Sequence, residues 1–501
     1  MLQQPKKKVV IAGGGTAGWM AAAALAKVLG KNLEITLVES DEIGTVGVGE
    51  ATIPTMAFFH QLLDIPEAEF MAATQATFKL GIQFENWRQL NHDYIHSFGM
   101  TGKDCWAAGF QHFWLKGRQL GFADDFASYC PELMAAKANK FGHIPHHKVN
   151  YAYHLDASRY AVFLRNFSEK LGVKRVEGRI AAVLQHDNGD IRALQLTDDR
   201  LIEGALFLDC TGFRALLIER TLHVGFHDWS HWLPMDRALA VQTTATRPPV
   251  PYTRSIAHQH GWQWQIPLQT RVGNGLVYCS QHCSDDEAHA TLFQHLSGEP
   301  LTSAKPLQFK TGLRRKQWHR NCIAVGLASG FLEPLESTSI HLIQQNIIRL
   351  LRLFPHDGVQ QADIDEFNQQ ATFDVERIRD FIILHYHVTE RRDSPFWRHC
   401  AAMDIPATLQ HKIDLFRQTG RVFRDGIELF DVDSWMQVML GQGVMPTRYH
   451  PIVDMMSEQE LQHFLAHLRH NVDQLLAKLP QHASYLQQYC WSELSKVTKP
   501  T

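Results

Sequence analysis

The residues best suited to chemistry stand near the start of the chain. Gly13-Gly14-Gly15-Thr16-Ala17-Gly18 follows a β-branched run at 8–12 and opens an alanine-rich stretch from Trp19 to about Leu29. Gly13, Gly15 and Gly18 satisfy GxGxxG: the first permits a tight turn, the second lets backbone approach a pyrophosphate, and the third lets a helix pack closely on a strand. The helix N-terminus then stabilises the phosphate charge. A second strand, Glu34-Ile35-Thr36-Leu37-Val38, ends in Glu39, 21 residues beyond Gly18, the expected position of an acid that holds the ribose 2′-hydroxyl of an adenosine. The pattern is that of a dinucleotide site, with FAD and NAD both open on these residues alone. Cys279 and Cys283 flank His282, but the eight cysteines include no CxxC pair. Isolated reduced thiols in a cytoplasmic protein, with no metal, are the expectation.

These residues need elements to position them. Two later segments, 206–212 and 321–326, read as buried strands ending in glycine turns, and both favour FAD because large FAD-binding monooxygenase folds use such segments near the flavin. No second strand–GxGxxG–helix unit appears. Gly273-Asn274-Gly275 and Gly441-Gln442-Gly443 lack a third glycine and a following helix, and are expected to be turns. Asn188-Gly189 signals a hairpin, a helix leads to Leu171, and a strand is expected over 173–180. Segments 340–354, 362–389, 407–418 and 457–479 carry helical apolar spacing. The fold class expected is α/β, a Rossmann-like FAD-binding body with mixed sheets over 1–390 and a helical C-terminal part over 391–501. With 49 basic and 52 acidic residues the net charge of −3 gives no reason to propose nucleic acid or an anionic membrane as partner. No stretch approaches 18 uninterrupted apolar residues, so no membrane span is expected.

Four further segments carry a family resemblance. They are the strap Val46-Gly47-Val48-Gly49-Glu50-Ala51-Thr52-Ile53-Pro54, the segment 78–87 containing Lys79, Gly261-Trp262-Gln263-Trp264-Gln265-Ile266-Pro267 with the signature WxWxIP, and the segment 331–340 containing Glu336. Each has an ordinary structural reading. Trp262, Trp264 and Ile266 alternate as in any half-buried strand; Lys79 falls in a helical-looking region where a solvated lysine is usual; Glu336 stands where a helix-start carboxylate is common. Independent accidents would not place all four, in order, beside an FAD fingerprint. From residue 8 to about 400 the chain resembles the flavin-dependent tryptophan halogenases.

The resemblance implies an enzyme that uses FAD in its reduced form, FADH2, with O2 and chloride or bromide, and a separate flavin reductase to supply it. Halide is oxidised to hypohalous acid, which must be confined because it oxidises indiscriminately in open solvent. Lys79 would either hydrogen-bond that acid or form a haloamine. Glu336 would stabilise the cationic ring intermediate and remove its proton. Halide would sit at the amides of Thr338 and Ser339, and Trp262 and Trp264 would wall off the flavin. The cofactor would be lined by Gly13, Gly14, Gly15, Thr16, Ala17, Gly18, Glu39, Ile43, Val46, Val48, Ala51, Ile180, Leu327 and Ile340. Many tryptophan-specific relatives have glycine in place of Ser339, which leaves halide preference open. They also carry a longer insertion before the segment matching Asp433-Ser434-Trp435, with paired tyrosines and a glutamate that hold the substrate's ammonium and carboxylate. Residues 416–435 contain no tyrosine pair, so an indole-like ring lacking an amino-acid group is the expected substrate. Phe430 and Trp435 are candidate pocket walls and Glu428 a candidate replacement for the missing carboxylate. The alternatives are an FAD-dependent aromatic hydroxylase, against which WxWxIP, Lys79 and Glu336 argue, and a non-catalytic flavin-binding protein, which needs neither Lys79 nor Glu336.

Overall fold

The computed structural model describes residues 6–43, 49–355 and 357–490. Val46 and Val48 lie outside the described residues. The chain divides into two compact units, Met1–Ala76, Leu155–Asp236 and Gln308–Glu376 in the first, and Thr77–His154, Arg237–Leu307 and Arg377–Thr501 in the second. The expected boundary near residue 390 falls inside the second unit.

The first unit is built on a six-stranded sheet in the order Trp318–His319, Cys322–Ala324, Leu206–Asp209, Lys7–Ala12, Leu33–Glu39, Lys174–Glu177. All neighbours pair in parallel except the antiparallel edge strand Trp318–His319. Parallel strands bury both faces, which is why Val9, Val10, Ile11 and Ala12 form a continuous apolar run at 0–1% exposure. Helix Thr16–Leu29 makes the crossover to Leu33–Glu39. Its residues Trp19 to Ala26 are all buried, because alanine on every face lets helices Ala157–Lys170 and Ser339–Arg352 pack against it as well as the sheet. The hairpin at Asn188-Gly189 forms with Gly189 at φ +86. The single strand expected over 173–180 is two, Lys174–Glu177 and Ile180–Gln185, with Gly178 at φ +159 between them.

The second unit contains a seven-stranded sheet in the order Lys305–Gln308, Arg237–Thr244, Arg271–Tyr278, Gly261–Pro267, Thr253–Ala257, Gly81–Glu85, Asp93–Ser97. Its described elements beyond residue 394 are helices: Pro395–Ala402, Ala407–Thr419, Val432–Gly441, Glu458–Lys478 and His482–Tyr489, with a short 3-10 turn at Pro451–Met455. Gly273-Asn274-Gly275 is not a turn; it lies inside strand Arg271–Tyr278. Gly275 pairs with Trp264, and a methyl group on it would meet the Trp264 indole at 2.0 Å. The glycine is there to admit a cross-strand tryptophan. No helix among the described residues is long and apolar enough to cross a membrane.

Candidate active site

The glycine loop has the geometry its residue types require. Gly13 adopts φ +107, and a Cβ on it would lie 2.3 Å from the Cys210 carbonyl oxygen; one on Gly18 would lie 1.9 Å from that of Gly13. Gly15 faces open space and is the N-cap of helix Thr16–Leu29, with no side-chain cap and no acid in the first turn. The first-turn amides therefore lack intrahelical acceptors, and no acid of their own turn competes for them. That cradle fits a pyrophosphate.

Glu39 ends its strand beside this loop. Its Oε1 accepts a hydrogen bond from Arg175 Nε and its Oε2 one from Trp19 Nε1 at 3.3 Å. The carboxylate lies against Gly14, where a Cβ would fall 1.5 Å from Oε2. The second glycine of the run thus exists to let Glu39 approach. Around it, Gly178 N donates to the Glu39 carbonyl at 2.9 Å, two residues before Ile180 opens the next strand. Leu327 sits in the turn Gly326–Ala328, where Gly326 abuts Ala17. Ala51 and Ile340 are buried, while Ile43 is 46% exposed.

Glu336 closes a 3-10 turn, Pro334–Glu336, and is 1% exposed. Ser337 follows at φ +58, and this left-handed residue separates Glu336 from helix Ser339–Arg352, so the carboxylate is not in the helix's first turn. Thr338 is that helix's N-cap, with no side-chain cap and no acid in the first turn, an arrangement that favours an anion at the Thr338 and Ser339 amides. Thr55, at the end of the strap, shares a hydrogen bond with His341 Nδ1 at 3.0 Å and donates to Gln344 at 3.3 Å. Strap and helix are thereby joined.

Lys79 and the tryptophans lie in the second unit. Lys79 is in a strand, Thr77–Lys79, not the helical region the local sequence suggests, and it is fully buried. Its strand pairs antiparallel with Ala152–Leu155, a long-range partner that outweighs local propensity. Lys79 Nζ lies 5.2 Å from the centroid of the Phe98 ring. Every residue of strand Gly261–Pro267 is buried, so the alternation of tryptophan and glutamine does not mark a solvent face. The Trp262 and Trp264 rings lie 6.1 Å apart, and Trp87 packs 6.3 Å from Trp262. Phe430 stacks on Phe381 at 3.8 Å, and Trp435 meets Phe381 edge-on. Glu428 Oε1 accepts from Lys412 Nζ at 2.9 Å and from the Asp425 amide at 2.9 Å.

Sequence reasoning missed Trp19 and Arg175 around Glu39, and Thr55 with His341. A tryptophan opening the nucleotide-binding helix was the one local signal. Arg175 arrives from 136 residues away.

The tryptophan halogenase family profile matches residues 8–458. A solved flavin-dependent halogenase from Xanthomonas campestris, Xcc4156, superposes with a TM-score of 0.96 at 58% identity, over 98% of this chain and 99% of that one. BrvH, a flavin-dependent halogenase from Brevundimonas sp. BAL3, gives 0.93 at 45% identity, covering 97% and 99%. Tryptophan 7-halogenase RebH of Lentzea aerocolonigenes is 35% identical over 426 residues, 80% of each chain. The FAD cradle, the family profile and these relatives agree: the chain belongs to the tryptophan halogenase family and is a flavin-dependent aromatic halogenase that uses FAD.

Proposed function

We propose that the chain halogenates an indole-like ring lacking an amino-acid group, using chloride or bromide, O2 and FADH2 delivered by a separate flavin reductase, with Lys79 and Glu336 as the catalytic residues. FADH2 with O2 supplies the two-electron oxidation of halide to hypohalous acid. Lys79 Nζ holds that acid or its haloamine at a fixed place, since full burial leaves the amine no solvent partner to exchange with. When the aromatic carbon attacks, the carbon–halogen bond forms and the bond from halogen to oxygen or nitrogen breaks. The proton released by the ring balances the leaving group: the departing hydroxyl ends as water, or the nitrogen of Lys79 ends as the amine. The buried Glu336 carboxylate offsets the positive ring and takes its proton. Thr338 and Ser339 amides hold the halide, and Trp262 and Trp264 keep organic substrate from the flavin.

The observation that carries the substrate reading is the state of Glu428. This carboxylate stands in the segment where tryptophan-specific relatives clamp an ammonium, but it is 1% exposed and already paired with Lys412 at 2.9 Å. A zwitterion entering without partners loses several kcal/mol per unpaired charge, and an ammonium would have to displace Lys412. Turnover of indole and of free tryptophan under regenerated FADH2 and each halide tests this. Higher catalytic efficiency on indole is expected; higher efficiency on tryptophan refutes the substrate reading, and an oxygenated product alone refutes halogenation by these residues.

A further inference from the structure

Behind Lys79 runs a buried hydrogen-bonded relay that nothing in the reaction as described employs. Thr77 and Lys79 project from the same face of their strand. Thr77 Oγ1 donates to the Pro267 carbonyl oxygen at 2.7 Å, at the end of the tryptophan strand. Its single hydrogen is thus used, so its 2.8 Å contact with His154 Nδ1 requires the ring nitrogen to be the donor. His154 is paired opposite Thr77 in the ladder. Its Nε2 lies 2.9 Å from Thr253 Oγ1 and accepts that hydroxyl's hydrogen. Thr77 and His154 are fully buried and Thr253 is 6% exposed. Burial, then the charge of Lys79, then that of His482, hold the His154 imidazole far below its usual range. His482 itself accepts the Phe78 amide hydrogen at 3.3 Å through Nε2 and donates Nδ1–H to the Pro249 carbonyl at 2.8 Å.

We propose that His154 is a positioning residue for Lys79: fixed between Thr77 and Thr253 as a neutral Nδ1–H imidazole, it sets the twist of strand Thr77–Lys79, and so the place of Nζ, without presenting a second cation to the site. The inference rests on the reading of Lys79 as catalytic. Neutrality matters because the hypohalous acid is held by one amine; an imidazolium on the same face would compete for its oxygen and press on the charge state of Lys79. Position matters because a displacement of about 1 Å at a reacting group costs on the order of 100-fold in rate.

The test uses the full-length protein. Thr77→Val keeps the shape but removes both hydroxyl bonds, and Thr77→Ser keeps the hydroxyl. Thr77→Val should lower kcat by roughly 10- to 100-fold with KM within about twofold, and Thr77→Ser should restore it. Thr253→Val, which releases only Nε2, serves if Thr77→Val does not fold, with a fall in kcat of the same sign. Independently of activity, 15N spectra of histidine-labelled protein should show His154 at neutral pH as a neutral Nδ1–H ring. An Nε2–H tautomer, a protonated ring, or an unchanged kcat in the folded valine variants overturns the proposal. Lys79→Ala separates the two levels: if it still halogenates, the reading of Lys79 fails; if it is inactive while Thr77→Val turns over normally, the role of His154 fails.

Discussion

Replacing Gly14 with alanine should weaken FAD binding through Glu39 alone. An alanine methyl at position 14 would stand 1.5 Å from Glu39 Oε2, 2.4 Å from its carboxyl carbon and 2.6 Å from its Cβ. Ordinary contact between carbon atoms is about 3.5–4.0 Å. Rotating the carboxylate away cannot relieve the clash at Cβ, so the strand end itself must yield by about 1 Å. The Trp19 Nε1 bond, at 3.3 Å, is already at the long end of the range and is lost with that shift. The carboxylate then leaves the place in which we propose that it meets the ribose hydroxyl. A hydrogen bond to a charged group contributes about 1.5–3 kcal/mol, which at 1.4 kcal/mol per decade is roughly a 10- to 150-fold rise in Kd. Titrating apo-protein with FAD and following quenching of flavin fluorescence measures it. The diagnostic arm is a double-mutant cycle with Glu39→Gly, which removes the Cβ as well as the carboxylate: once Glu39→Gly is present, adding Gly14→Ala should cost nothing more. Wild-type affinity in Gly14→Ala, or a full additional loss on the Glu39→Gly background, would show that Gly14 serves something other than the approach of Glu39.

Lys79→Ala should abolish halogenation with FAD affinity nearly unchanged, and Glu336→Gln should slow turnover by roughly 10²–10³-fold; mass spectra of product against time check both, and an unaltered rate means that the wrong residue has been assigned. Lys412→Met leaves the buried Glu428 carboxylate without its cation and should cost about 3–5 kcal/mol in urea unfolding. Adding Glu428→Gln should recover most of that, and a loss below about 1 kcal/mol would mean that solvent reaches the pair. Burial pushes the Glu50 carboxyl up to about 7 from 4.5. Its contribution is therefore fully present below the unfolded value and lost as pH rises through the folded one. Glu50→Gln should flatten stability between pH 5 and pH 8, and an identical pH slope in wild type and variant refutes the assignment.

The sequence made the first unit's nucleotide half readable because its determinants are local: a strand, three spaced glycines, a helix and an acid within 33 residues of Lys7. Helices were equally plain, with Gln361–His387, Ala407–Thr419 and Glu458–Lys478 close to their apolar periodicity. What failed was decided by distant partners. Lys79 reads locally as helical, yet a ladder to Ala152–Leu155 makes it a strand. Gly275 reads as a turn residue because its true reason, the indole of Trp264, stands on the neighbouring strand. Glu428 was open as a substrate clamp until Lys412, 16 residues earlier, was seen to hold it. The catalytic candidates themselves came from family motifs; nothing in the periodicity of 77–79 or 334–339 marks them.

The alternation of the two units along the chain bears on how the protein can be made and recombined. Each unit is assembled from three separate stretches, so no single cut separates the two, and a truncation at any loop between residues 77 and 376 removes strands or helices from both. Synthesis cannot complete the nucleotide-binding unit before Glu376 has been made, long after the GxGxxG helix has appeared. Its parallel strands Lys7–Ala12, Leu206–Asp209 and Cys322–Ala324 wait on partners well over a hundred residues away, Val9 on Leu206 and Phe207 on Cys322, the kind of non-local pairing that folds slowly and exposes strand edges meanwhile. Chimeras between relatives should therefore survive only when crossovers come in matched sets at the unit junctions, and expression of this chain should respond more to temperature and chaperone supply than its ordinary composition suggests.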